Sequence, residues 1–209
     1  MHKFVLPVLS LVLLTSPLPA SDTAEKAREM TTNLEKIEAL IDKTIKELQE
    51  AVDQLNRISA ESDKPRDAYE DFTDQLKDYK DVQATLSERI DRFRSVADDR
   101  FKDWEADLAK MQGDLKTISQ TRMDKAKQEY TEVDKKVRAI GAKLTKAVDK
   151  LQEVQTYFTT ELNAASIQAA SKVTDAAKKS AEEVTQALQE MKADYTRLKT
   201  DTSETKSKE

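Results

Sequence analysis

Histidine and cysteine are nearly absent from this chain of 209 residues, which has no cysteine and one histidine, His2. These side chains serve much of the acid–base, nucleophilic and metal chemistry that proteins perform near neutral pH, so their absence excludes most catalytic designs. Proline and glycine are also scarce, and beyond residue 20 they remain only as Pro65, Gly113 and Gly141. Because both residue types interrupt helices, the sequence predicts a few very long helices stabilised by packing without disulfides.

The first twenty residues have a different composition from the rest. A short basic head ending at Lys3 precedes an apolar run over residues 4–14, and Pro17 and Pro19 come before Ala20. An apolar run of about 11 residues is typical of a signal peptide, whereas a membrane span needs roughly 20. We therefore expect residues 1–20 to be a signal peptide, cleaved after Ala20, and the protein to be exported. Its location would be the periplasm of the cell envelope if the host has an outer membrane. An uncleaved N-terminal anchor is the alternative.

Charged residues make up 36% of the chain, and the formal net charge is −5. An acidic balance without clustered lysine and arginine argues against nucleic acid as a partner, and we expect none. Acidic and basic residues alternate along the chain, which is typical of solvated helix faces. Disorder is the competing interpretation of so charged a sequence, and the periodicity of the apolar residues decides against it.

Apolar residues recur at steps of three and four in four successive segments, which is the pattern of amphipathic helices. The first segment fits a seven-residue repeat with a widened stripe, as in bundles of more than two helices. We predict an all-α fold, an elongated antiparallel four-helix coiled-coil-like bundle, in a single domain over residues 21–200. A disordered polar tail is expected over 201–209. The predicted helices cover residues 23–61, 65–112, 114–161 and 164–200.

The helix junctions differ in how clearly the sequence marks them. Pro65 suits the first turn of the second helix, and Gly113 suits the end of that helix. The third junction, near Asn163, has no breaker, and without a turn there the third and fourth helices would fuse into one rod. Gly141 lies inside the third helix, where we expect it to permit close approach of a neighbouring helix.

Two stretches, residues 87–108 and 162–167, resemble the uncharacterised bacterial family catalogued as domain of unknown function 2959. The resemblance extends over about residues 65–197, and its most specific part is a Phe-x-x-Trp-Glu-x-x-Leu motif. It implies an exported helical protein and supplies no activity. The candidate interaction or family-motif residues are Phe101, Trp104, Glu105, Leu108, Leu162, Asn163 and Ala164.

Two of these candidates, Trp104 and Asn163, each have a functional and a structural interpretation. Trp104 would anchor a recognition patch, or it is a packed core tryptophan. Asn163 would belong to a hinge or ligand loop, or it caps a helix. The structural interpretation is favoured in both cases.

Paired carboxylates are the remaining candidates for chemistry, as in Asp98–Asp99, Glu70–Asp71 and Glu182–Glu183. Adjacent helical residues point about 100° apart, so neither member of a pair helps the other to chelate. We expect solvated faces, no metal, no cofactor, no catalytic residues and no small-molecule substrate. The sequence does not predict an enzyme.

The leading functional hypothesis is a non-enzymatic exported helical protein of the cell envelope that acts through protein–protein contact, as a scaffold or by self-association. An alternative is an amphipathic binder of lipid or membrane surfaces, so peripheral membrane contact stays open. A periplasmic holdase-type chaperone, clasping unfolded chains between helices, is a further alternative.

Overall fold

The computed structural model describes the backbone of residues 22–60 and 65–206 and the side chains of residues 32–60 and 65–193. Within those ranges the regular structure is entirely helical, which confirms the all-α prediction. The segment predicted as a signal peptide lies outside the described residues. The helices are α1 (Asp22–Ala60), α2 (Pro65–Lys110), α3 (Gly113–Thr160), α4 (Ala164–Ala169) and α5 (Ser171–Lys206).

The predicted junctions fall where the helices end. Pro65 is the first residue of α2, and Gly113 opens α3 with a left-handed backbone angle φ of +63°, a conformation that favours glycine. The third junction is a real break, because α3 ends at Thr160 and α4 begins at Ala164. The alternative of a fused rod is therefore wrong.

The fourth predicted helix, over residues 164–200, needs two corrections. It is divided at Ala170, whose ψ of −6° departs from helical geometry; even so, the amide of Ala170 donates to the carbonyl of Ser166 and its own carbonyl accepts from Thr174, each at 2.9 Å. The division is therefore a local irregularity across which hydrogen bonding continues. The helix also runs to Lys206, because residues 201–206 contain neither glycine nor proline to stop it. That stretch belongs to the segment predicted as a disordered tail, and residues 207–209 lie outside the described part.

The chain divides into two compact units, and unit 1 contains residues 22–38, 88–137 and 191–206. It packs the last part of α2 against the first part of α3, with terminal segments of α1 and α5. Arg94 Nε on α2 donates to Asp134 Oδ1 on α3 at 2.5 Å. The buried apolar side chains of unit 1 are Ile37, Phe93, Ala97, Phe101, Trp104, Leu108, Met123, Ala126, Val137 and Met191.

Unit 2 contains residues 39–60, 65–87 and 138–190, drawn from all five helices. Gln75 Nε2 on α2 donates to the carboxylates of Glu47 and Glu50 on α1, at 2.5 and 3.0 Å. The predicted stripes form the core, including the alanines of α5, which let helices pack closely. Among the buried residues are Ile41, Leu48, Leu55, Phe72, Leu76, Tyr79, Leu144, Leu151, Val154, Ala177, Ala181, Val184 and Leu188.

The expectation for Gly141 is wrong. A Cβ atom built at this position would meet nothing within 4 Å, so no neighbouring helix depends on the missing side chain. Glycine inside a helix lowers helix stability by about 1 kcal/mol relative to alanine. At position 141 no close contact that needs glycine offsets this loss.

Candidate interaction surface at the α2–α3 turn

The family-like motif at the end of α2 is a packed part of unit 1. Phe101, Trp104 and Leu108 are all buried, with Trp104 only 1% exposed. The indole Nε1 of Trp104 donates a 3.0 Å hydrogen bond to Ser119 Oγ on α3, and Ser119 is itself buried. A buried indole nitrogen requires such a partner. Trp104 is therefore a core tryptophan, as the favoured interpretation predicted.

Glu105 is the exposed member of the motif, and it belongs to a small cluster on the surface of the α2–α3 pair. It forms a short ion pair with Lys127 of α3. The ammonium of Lys127 lies 5.8 Å from the centre of the Phe101 ring, within the range of a cation–π contact. Phe101 also makes an edge contact with Tyr130, at 5.6 Å between ring centres. These contacts hold α2 against α3.

Two large apolar side chains of α3 are exposed just beyond the turn. Leu115 is 74% exposed and Ile118 is 56% exposed, and we call them the exposed pair. Their spacing of three residues places them on one face of the helix. The buried face of the same turns is formed instead by Ser119, Met123 and Ala126.

Sequence reasoning missed the exposed pair because it assigned Leu115 and Ile118 to the core stripe of the third helix. A signal was present in the spacing. Met123 and Ala126, which the predicted stripe left out, precede Tyr130 at steps of three and four, and the next step of four leads back to Ser119 and not to Ile118. An apolar pair that is out of step with the stripe following it need not face the same core.

The second candidate motif, Leu162–Asn163–Ala164, lies in unit 2 and is a helix cap. Asn163 Oδ1 accepts from the amides of Ala165 and Ser166, each at 3.0 Å. Ser166 Oγ accepts in turn from the amide of Asn163 at 2.9 Å, which completes a capping box. Leu162 is half-buried, and Asn163 and Ala164 are exposed. The capping interpretation is confirmed.

The three carboxylate pairs lie on the surface, and members of two of them form ion pairs with single cations. Asp99 pairs with Lys102, Asp71 with Arg57, and Glu70 with Arg66. In the described part of the chain no group of three or more histidine, cysteine, aspartate or glutamate side chains could hold a metal ion.

One buried titratable group stands out in unit 2. The Tyr79 side chain is fully buried, and no described residue forms a hydrogen bond with its hydroxyl. Burial raises the pKa of Tyr79 well above its ordinary value, because the phenolate would lose its hydration. A phenol that stays neutral and lies inside a helical core is a packing group.

Between residues 22 and 206, with 61–64 set aside, none of the helices is long and apolar enough to cross a membrane.

Comparison with other proteins identifies a family. Neither the curated proteins nor the solved structures include a match to this sequence. The model of one family, described as Protein of unknown function (DUF2959), matches residues 20–201, which is most of the chain. The first four helices, α5 as far as residue 201, the buried Phe-x-x-Trp motif and the Asn163 cap lie within that match. The chain therefore belongs to the DUF2959 family.

Proposed function

We propose that this protein is a non-enzymatic, exported helical protein that acts by protein–protein contact through the exposed pair. The observation that carries the proposal is the exposure of Leu115 and Ile118 side by side on α3. Apolar side chains that are exposed singly need no explanation, whereas a contiguous apolar patch marks a contact surface. Contact of this kind requires a rigid support, and the buried hydrogen bond from Trp104 to Ser119, the residue after Ile118, supplies one.

Export is supported by the first twenty residues, whose basic head and short apolar run are typical of a signal peptide. N-terminal sequencing of the protein recovered from its host tests this directly. We expect the sequence to begin at Ser21. A start at Met1 in a membrane fraction would indicate the uncleaved anchor instead.

The contact proposal is tested by chemical cross-linking in intact cells. The double variant Leu115→Ser/Ile118→Ser removes the apolar surface, and Thr117→Ser/Thr121→Ser is the matched control on exposed positions of the same helix. We expect cross-linked species of the native chain to be lost in the first variant and kept in the control. Identical species in all three proteins, or none in the native chain, would contradict the proposal.

The alternatives give different results with the same variants. If the partner is a lipid surface, the native chain floats with neutral or anionic vesicles and the Leu115→Ser/Ile118→Ser chain does not. If the partner is an unfolded polypeptide, the native chain suppresses aggregation of a client and the variant does not. Either result, without protein cross-links, would replace the proposed class of partner.

A further inference from the structure

One exposed face of α2 in unit 2 carries a row of acidic side chains. Five aspartates recur at steps of four and three, which places them along one side of the helix: Asp67, Asp71, Asp74, Asp78 and Asp81. All five are exposed, and in the described part of the chain only Asp71 has a cationic partner, Arg57. Like charges at these steps destabilise a helix. We call this row the aspartate stripe, and it lacks the alternating signs of an ordinary solvated face.

A row of the opposite charge lies on α3 in the same unit. Lys143, Lys146 and Lys150 follow one another at steps of three and four, and residues 138–150 contain four basic side chains and one acidic side chain. Lys143 and Lys146 are exposed, and neither forms an ion pair with a described residue. Lys150 is half-buried and pairs with Glu153 of its own helix at 2.6 Å. We call this row the lysine stripe, and two of its three charges are available to a partner.

In one copy the two stripes point away from the contact between α2 and α3. The hydroxyl of Tyr69 on α2 lies 2.5 Å from Thr159 Oγ1 on α3, which marks the facing sides of the two helices. At about 100° per residue, Asp78 points about 180° away from Tyr69, and Lys146 points about 140° away from Thr159. The stripes of one copy therefore do not neutralise each other, and each faces outwards.

The spacing of the two stripes matches in the antiparallel direction. The last three aspartates are separated by four and then three residues, and the lysines, counted backwards along α3, are separated by four and then three as well. Both rows span seven residues, which is about 10 Å at 1.5 Å per residue. Antiparallel contact sets three pairs side by side: Asp74 with Lys150, Asp78 with Lys146, and Asp81 with Lys143. Charged residues in such rows fix the partner and the orientation of packed helices.

We infer that the aspartate stripe of one copy packs antiparallel against the lysine stripe of a second copy, with Asp78 beside Lys146 and Asp81 beside Lys143. This contact goes beyond the proposed function, because it uses neither residue of the exposed pair. Each copy offers one stripe of each sign, so the contact is heterologous and adds copies head to tail, into a ring or an open chain. Exposed ion pairs stabilise only weakly and are screened by salt. Association is therefore expected at low ionic strength and is lost at high ionic strength.

Charge reversal tests this arrangement. Asp78→Lys/Asp81→Lys reverses one stripe, Lys143→Glu/Lys146→Glu reverses the other, and a fourfold variant carries both changes and has the net charge of the native chain. Sedimentation velocity is recorded at low ionic strength over a wide concentration range, for chains produced from the full-length sequence. We expect the native chain to self-associate and each double variant to stay monomeric. The fourfold variant should associate again, because its reversed stripes complement each other.

A matched control separates the stripes from net charge. Glu182→Lys/Glu183→Lys changes the net charge as much as Asp78→Lys/Asp81→Lys does, at two exposed positions on α5. We expect this variant to associate as the native chain does. A mixture of the two double variants should also associate, since each stripe then meets one of opposite sign, and it replaces the fourfold variant if that chain does not fold. Folding is checked by the helical circular dichroism signal and its thermal midpoint.

Several outcomes would overturn the inference. They are a native chain that is monomeric at low ionic strength, association that either double variant keeps, and failure of both the fourfold variant and the mixture to associate. Flotation of the native chain with anionic vesicles that is lost in Lys143→Glu/Lys146→Glu, without self-association, would assign the lysine stripe to a lipid surface instead.

The proposed function is tested separately by the exposed pair. Leu115→Ser/Ile118→Ser should keep the salt-sensitive association, because both stripes are intact in it. Cross-linked adducts that are lost in this variant belong to the exposed pair, and adducts of two copies that persist in it belong to the stripes. If only the first kind is found, the proposed function stands and the inference about the stripes fails. If only the second kind is found, the reverse holds.

Discussion

The large apolar side chains on the two sides of the α2–α3 turn differ in burial. Before the turn, Phe101, Trp104 and Leu108 are buried; after it, Leu115 and Ile118 are exposed. The family-like motif before the turn is thus buried, whereas the ordinary leucine and isoleucine after it are exposed to solvent. The single tryptophan of a helical protein is an obvious candidate for recognition. In this protein Trp104 instead packs α2 against α3, and Leu115 and Ile118 are exposed on α3.

The cause of the difference lies on α3. Its buried positions after the turn are Ser119, Met123 and Ala126, two of them small. Trp104 meets this face at Ser119, which supplies the acceptor that the indole needs. Ile118 precedes Ser119 by one residue and therefore points about 100° away from it around the helix, which turns it away from the buried face.

The largest effect is expected from truncating the tryptophan. Trp104→Ala removes a fully buried aromatic side chain and should lower the free energy of unfolding by about 3–5 kcal/mol. Urea unfolding followed by circular dichroism measures it. The control is Leu115→Ala on the exposed side, expected to change stability by no more than about 0.5 kcal/mol. Equal losses from both variants would break the comparison.

Removing the acceptor of the indole should have an intermediate effect. Ser119→Ala leaves Trp104 Nε1 buried without a partner, which costs about 1–3 kcal/mol. Combined with Trp104→Phe, which has no donor, the same serine change should cost much less. A double-mutant cycle in urea unfolding reports the coupling energy between the two residues. A coupling energy near zero would mean that the hydrogen bond does not stabilise the packing of α2 against α3.

Replacing the glycine at the turn and the glycine inside α3 by alanine should change stability in opposite directions. Gly113→Ala forces a side chain into a left-handed backbone conformation and should cost about 1–2 kcal/mol, although there is open space for the Cβ. Gly141→Ala, also in open space but in a regular helix, should gain about 1 kcal/mol. Thermal midpoints of the two variants should move in opposite directions. A shift of both in the same direction would disprove the backbone explanation.

Tyr79 in unit 2 differs from Trp104, because its buried hydroxyl has no hydrogen-bond partner in the described part of the chain. Tyr79→Phe removes an unsatisfied hydroxyl and should leave stability unchanged or raise it by up to about 1 kcal/mol. The raised pKa adds a pH dependence with a definite sign. Above the ordinary tyrosine pKa of about 10 the unfolded chain ionises and the folded chain does not. The native chain should therefore lose stability there relative to Tyr79→Phe, and identical pH profiles would contradict the burial of the phenol.

The smallest effect on stability belongs to the exposed pair itself. Leu115→Ser/Ile118→Ser should shift the free energy of unfolding by no more than about 0.5 kcal/mol, while removing the contact surface. Urea unfolding measures the first quantity and cross-linking the second. A large loss of stability would show that the pair belongs to the core after all.

Much of the fold could be predicted from spacing, because a stripe with steps of three and four allows one buried face per helix. The ends of the helices followed from Pro65, Gly113 and Asn163, each of which has a local chemical reason to be at a helix end. The division at Ala170 could not be predicted, since alanine favours helix and the interruption is a matter of one ψ angle. Gly141 misled because glycine in a helix suggests close packing, and only the neighbouring atoms decide that.

The candidate site was harder to predict. Periodicity shows which residues share a face but not which face meets a neighbour, so Leu115 and Ile118 entered the core stripe. The structural interpretations of Trp104 and Asn163 succeeded because burial and capping make specific demands on indole and amide groups. The Ser119 partner had no sequence signal, since it depends on the register of α3 against α2.

The claim that the exposed pair after the turn makes the contact, while the buried motif before it only supports the helices, is tested most directly by site-specific photo-crosslinking in cells. A photoreactive amino acid is placed at Ile118 in one chain and at Glu105, the exposed member of the buried motif, in another. We expect covalent adducts from position 118 and none from position 105. Adducts from 105 with none from 118 would show that the tryptophan motif is the contact surface, and would contradict the assignment made here.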